Sequence, residues 1–144
     1  MKTDEEPIVV EQQFNRSVSD LWNAITNIDE MRQWYFENIP EFEARVGFCT
    51  QFSVEAGDRI FPHVWEVTEA EPQQKLVYNW KYDGYAGDSF VIFELSGDGQ
   101  SSHLRVTSRI VEDFPDDIPE FNRESGVGGW TYFIKDSLKA YLDE

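Results

Sequence analysis

The chain has 144 residues, of which 28 are acidic and 12 basic, for a net charge of -16. That charge repels phosphate backbones and no run of Lys or Arg makes a local basic footprint, so nucleic acid and anionic membranes are excluded as expected partners. With 40% hydrophobic and 15% aromatic residues the chain is no disordered acidic tail, and its length suits one domain burying roughly two-thirds of its unfolded surface.

Residues 1–7 are polar and run into Pro7, so a disordered tail is expected there, with a single domain over 8–144. Ile8 to Phe14, IVVEQQF, is β-branched at its start and reads as a first strand. The period then changes. Val18, Leu21, Trp22 and Ile25 fall on one face of a short helix, and Ser17 with Asp20 three residues on resembles a capping box. Asn27 with Glu30 repeats the start signal, and Ile28, Met31, Trp34 and Tyr35 line a second helical face. Helices this short are marginal alone. Trp22 and Trp34 are therefore expected to pin them across the open end of a sheet, with Trp34 also at a cavity mouth.

From Glu41 to Ile110 six apolar or β-rich runs follow at short intervals: FEARV, FCTQFSV, PHVWEVTEA, KLVYNWKY, SFVIFEL and HLRVTSRI. Turn signals separate them at Gly47, Ala56-Gly57-Asp58, Glu71-Pro72, Asp83-Gly84 and Gly97-Asp98-Gly99, which predicts an antiparallel meander. Alternation assigns Val91, Phe93 and Leu95 to one face of a strand and Leu104, Val106 and Ile110 to one face of the next. Phe90 and Ile92 occupy the opposite face, where a dimer contact is one reason for them. A Pro- and Gly-rich connection then leads to a closing helix with Trp130, Ile134, Ser137, Leu138 and Tyr141 on its stripe. Gly126-Val127-Gly128-Gly129 is expected to lead into that helix and let it approach the sheet closely.

Three segments carry a resemblance. SVSDLWNAITNIDEMRQWY resembles the opening signature of the START-like, birch-pollen-allergen-like (SRPBCC) superfamily, VTEAEPQQKLVYNWKY resembles its Glu-Pro hairpin, and GGWTYFIKDSLKAYL resembles its final helix. Together they look like the branch of homologues of the activator of the heat-shock protein 90 ATPase, specifically its C-terminal-type domain. The resemblance covers about residues 8–143. It implies an α+β helix-grip fold: a curved antiparallel sheet of about seven strands around a long C-terminal helix, with two short helices after the first strand. The chaperone activators carry an additional N-terminal domain that 144 residues are too few to contain.

A sheet gripping a helix leaves a space between them. The residues expected to line it are Trp34 and Phe36 at the mouth, Phe52, Trp65, Tyr78, Trp80 and Phe93 from the sheet, and Trp130, Phe133 and Ile134 from the helix. Glu66, and equally Glu43, would need a polar partner if it faced inward. The leading expectation is a noncatalytic domain that binds a small apolar or lipid-like ligand. A protein-interaction module, homodimeric or chaperone-associated, is the alternative, with Phe90, Tyr82 and Tyr85 as outward aromatics. The third is a small cavity enzyme using a His63–Glu66 pair.

Only His63 and His103 are histidines, so no standard zinc spacing can be built, and no metal or cofactor is expected. Cys49 is alone and is expected to be a buried, inert thiol in a reducing compartment. The start of the chain lacks a signal-peptide pattern and no apolar run approaches ~18 residues, so the expected location is cytoplasmic. The loop with Asp113, Asp116, Asp117 and Glu120 lacks the calcium-loop spacing and is read as solvated.

Overall fold

The computed structural model describes residues 1–143. Six strands form one antiparallel sheet: β1 (Ile8–Phe14), β2 (Cys49–Ala56), β3 (Arg59–Glu71), β4 (Lys75–Tyr82), β5 (Asp88–Gly97) and β6 (Ser102–Glu112), in spatial order β1-β6-β5-β4-β3-β2. Helices α1 (Val18–Thr26) and α2 (Ile28–Trp34) follow β1, and a helix beginning with α3 (Arg123–Thr131) closes the chain. This is the helix-grip arrangement expected from sequence, with one strand fewer than the seven anticipated. The segment FEARV is irregular: Pro40 and Gly47 bracket it, and it is held by Phe42, packed edge-on against Phe48 and Tyr78, rather than by strand pairing.

Both predicted helix starts are capped by side chains. Ser17 Oγ accepts from Asp20 N at 3.0 Å, and Asn27 Oδ1 accepts from Asp29 N and Glu30 N at 3.0 and 3.2 Å, so donors that the first turns leave open are satisfied. The break between the helices falls at Asn27, which is at once the C-cap of α1 and the N-cap of α2.

The tryptophans divide differently from expectation. Trp34 is 2% exposed, donates Nε1–H to Ala24 O at 2.8 Å and stacks on Tyr35 at 4.6 Å and 6°. Ala24 lies in the last turn of α1, where carbonyls lack helical partners, so Trp34 ties the end of α1 to the end of α2. Ser137 Oγ donates to Trp34 O at 2.6 Å and joins this knot to the C-terminal helix. Trp22 is only partly buried against the core.

The C-terminal helix begins earlier than predicted. Asn122 caps it by accepting from Ser125 N at 2.8 Å, and Gly126, Gly128 and Gly129 lie inside its first turns rather than before it. Close approach is required at Gly126 alone, where a Cβ would come within 2.8 Å of Met1 Sδ and 3.0 Å of Ile8 Cδ1. A π-helical stretch over Tyr132–Leu138 precedes α4 (Lys139–Leu142). The C-terminal helix from α3 to α4 carries the buried positions Trp130, Ile134, Leu138 and Leu142 at a spacing of four.

Residues 1–7, expected as a disordered tail, run against the body of the fold. The Met1 amino group donates to Phe121 O, Lys2 Nζ to Phe114 O, Thr3 N to Asp113 Oδ1, and Arg123 to Glu6 O. Buried side chains on the inner sheet face and the helices form one large cluster, and Phe61, Phe114 and Phe121 form a second, smaller one. No helix among the described residues is long and apolar enough to cross a membrane.

Candidate functional site

Between the two apolar clusters, under the first turns of α3, lies a cavity of about 190 Å³. Trp130 and Phe133 reach it from the helix, Trp80 and Val91 from the sheet, and Phe36 from the segment after α2. Helical glycine helps to make the space: Gly129 lines the cavity, and a Cβ there would meet nothing within 4 Å. Met1 and Phe114 lie at the side toward the smaller cluster.

The polar residues of the wall come from strand alternation. His63, Ser89 and Ser108 are each 5% exposed, at inward-facing positions of β3, β5 and β6. Register sets them beside aromatic partners: His63 opposite Tyr82, and Ser89 opposite Trp80. Ser89 Oγ donates to Trp80 O at 2.7 Å and is satisfied. His63 Nδ1 lies 2.9 Å from Phe61 O. A carbonyl only accepts, so Nδ1 carries the proton and Nε2 is the lone-pair nitrogen. Burial pushes His63 down to about 4, with the Phe61 bond acting against it, so the ring is neutral at pH 7.

Trp80 is 8% exposed, yet its buried Nε1–H has no hydrogen-bond partner among the described residues. Burial raises the neighbouring Tyr82 hydroxyl to about 12. The Trp80 indole is near enough to act against that rise, without reaching hydrogen-bond geometry. An orphaned indole N–H in a protein interior is costly, and it is the kind of group a bound acceptor would satisfy.

Of the residues expected from sequence, Phe36, Trp80, Trp130 and Phe133 come together at this cavity. Trp34, Phe52, Trp65, Tyr78, Phe93 and Ile134 are buried in the packed core beside it. Glu66 is exposed on the outer face of β3, opposite Asn79. Three positions along a strand reverse the face, so His63 points in, Glu66 points out, and the expected acid–base pair does not exist. Glu43 is likewise exposed and pairs with Arg45 at 3.0 Å. Cys49, expected to be buried, is exposed at the start of β2, its Sγ 3.6 Å from Gly47 O.

Tyr35 escaped the sequence reading as a site residue. Its ring stacks between Trp34 and Trp65, and its hydroxyl meets that of Tyr78 at 2.8 Å. Burial drives both phenols well above their ordinary range. Inward parity of His63, Ser89 and Ser108 was the available signal for the polar wall. Among the described residues no group of three or more His, Cys, Asp or Glu is placed to hold a metal ion.

Residues 15–143 match the family described as Activator of Hsp90 ATPase homolog 1-like protein. No curated protein matches the chain. Among solved structures it is similar to protein CV1439 from Chromobacterium violaceum, 19% identical over 96% of this chain and 98% of that one, with a TM-score of 0.79. It is also similar to the Aha1 dimer from Colwellia psychrerythraea, 19% identical over 96% of both chains, with a TM-score of 0.71. DynU16, from the dynemicin biosynthetic locus, is 23% identical with a TM-score of 0.74; 96% of this chain aligns but only 48% of DynU16, so this chain spans about half its length. Likeness at these identities shows the fold.

Proposed function

The chain belongs to the Activator of Hsp90 ATPase homolog 1-like family, and from that premise we propose that residues 8–144 act as one noncatalytic domain holding a small, mostly apolar molecule between sheet and C-terminal helix. The observation that carries this reading is the cavity itself, about 190 Å³, walled by Phe36, Trp80, Trp130 and Phe133 and kept open at Gly129. An apolar cavity of about 150 Å³ already takes benzene, so this one accommodates a one- or two-ring molecule rather than a long acyl chain. The SRPBCC-type fold supports such a role, and the packed core beside the cavity gives it rigid walls.

Titration with naphthalene tests the reading, followed by tryptophan fluorescence, since Trp80 and Trp130 line the cavity. Saturable one-to-one quenching supports it. Absence of any saturable change up to the solubility of the probe sinks it.

A second reading concerns the outer sheet face. Val9 is 42% exposed there, and Phe90 and Ile92 on β5 are partly exposed on that same face. Together with the relative solved as a dimer, this favours a second copy of the chain as the partner. Light scattering decides it: twice 16.8 kDa in solution is the dimer, and a single-chain mass at micromolar concentration removes this reading.

A further inference from the structure

We infer that the cavity selects a neutral ligand bearing a hydroxyl, a phenol-like group that accepts from the Trp80 indole N–H and donates to His63 Nε2. The inference rests on the ligand-binding reading above and goes beyond it by naming the chemistry of the ligand's polar end. Trp80 Nε1–H is a buried donor with no hydrogen-bond partner among the described residues, the nearby Tyr82 hydroxyl lying outside bonding geometry. His63 Nε2 is left as an acceptor because Nδ1 is committed to Phe61 O at 2.9 Å. The two rings lie 5.4 Å apart, centroid to centroid, and both line the cavity. A hydroxyl oxygen serves both at once, because it donates one hydrogen bond and accepts others.

The same wall disfavours negative charge. Among the described residues no Lys or Arg side chain lines the cavity. Glu120, the carboxylate residue in the described wall, is engaged by Arg59 at 3.3 Å, and the Met1 ammonium donates to the Phe121 carbonyl. An anionic ligand would be desolvated there with no Lys or Arg in the wall, and the Met1 ammonium it could reach is already held by the Phe121 carbonyl. Hydrogen-bonding sites discriminate more sharply than apolar ones, because the analogue that lacks the group leaves the site's own polar atoms unpaired.

Calorimetric titration of the full chain at pH 7 with 2-naphthol, naphthalene and 2-naphthoate tests this. The expected result is that 2-naphthol binds about ten-fold or more tighter than naphthalene, the size of an otherwise unmade buried hydrogen bond, and that 2-naphthoate binds weakest. In Trp80→Phe and, separately, His63→Phe the preference for 2-naphthol over naphthalene shrinks toward one while naphthalene still binds, a change that a merely structural role for either residue would not produce. Equal affinity of naphthalene and 2-naphthol in the unaltered protein overturns the inference and leaves the cavity reading standing. So does a preference that survives in both folded variants, or binding of 2-naphthoate as tight as that of 2-naphthol. Failure of all three compounds to bind overturns both.

Discussion

Replacing Trp34 separates the two tryptophans of the helical pair. An indole side chain removes on the order of 200 Å² from water when buried, and at ~25 cal/mol/Å² that is worth about 5 kcal/mol. Trp34 is 98% withdrawn from solvent, and its Nε1–H satisfies Ala24 O, so Trp34→Ala loses the packing and also orphans a carbonyl at the end of α1. The expected cost is about 4–5 kcal/mol, near the top of the range for large-to-small core changes. Trp34→Phe keeps most of the volume and loses the hydrogen bond, for about 1–2 kcal/mol. Trp22→Ala, at a partly exposed ring, should cost about 1–2 kcal/mol. Urea unfolding followed by circular dichroism at 25 °C measures all three. If Trp22→Ala is as damaging as Trp34→Ala, the assignment of the pin to Trp34 is wrong.

Three further outcomes follow from the same geometry. His63 is held at about 4 in the fold against ~6.5 unfolded, so the unfolded chain binds the extra proton first. Stability should then rise with pH from about 4 to 6.5, and acidification from pH 7 to 4 should remove about 3 kcal/mol through this group alone. Urea midpoints across that range check it, with His63→Phe expected to flatten the slope; an unchanged slope in the variant would deny His63 the role. Gly129→Leu places a side chain into the open space of the cavity and removes a helical glycine, so naphthalene binding should vanish while the thermal midpoint holds or rises; retained binding would put the ligand elsewhere. Gly87→Ala should destabilise by about 2 kcal/mol or more, because φ is +113° and the new Cβ would lie 2.3 Å from the buried Phe114 ring. Thermal denaturation reads it, and an unaltered midpoint would mean that the loop relaxes freely.

Much of the fold was legible in the chain. Strand parity assigned Val91, Phe93, Leu95, Leu104 and Val106 to the inner face, where all five are buried, and the Ser17 and Asn27 signals are real caps. Failures came where tertiary packing overrides local pattern. FEARV has β-rich composition, but its Phe42 is spent as an anchor between Phe48 and Tyr78. The early turns of the C-terminal helix were hidden by three glycines whose low propensity is outweighed by the Asn122 cap and by packing at Gly126 and Trp130. Periodicity put Tyr35 on the apolar face of α2, where it is buried, but it leaves the helix at φ -107° and ψ -105°, so its pairing with Tyr78 was not legible.

The candidate site was half legible, for a physical reason. Composition supplied the aromatic walls, but which rings pack solid and which border space depends on where the first turns of α3, with Gly126 and Gly129, meet the sheet. The His63–Glu66 pairing failed on the two-residue period of a strand, a constraint present in the sequence. Cys49 has the same cause: it sits on the outer parity of β2, opposite Glu66.

A crystal structure of the protein soaked with 2-naphthol tests the central claim most directly. The account predicts the ring system between sheet and α3, against Trp80 and Trp130, with its hydroxyl between Trp80 Nε1 and His63 Nε2. Naphthol found only on the outer sheet face or at the surface, with the interior unchanged, would contradict it.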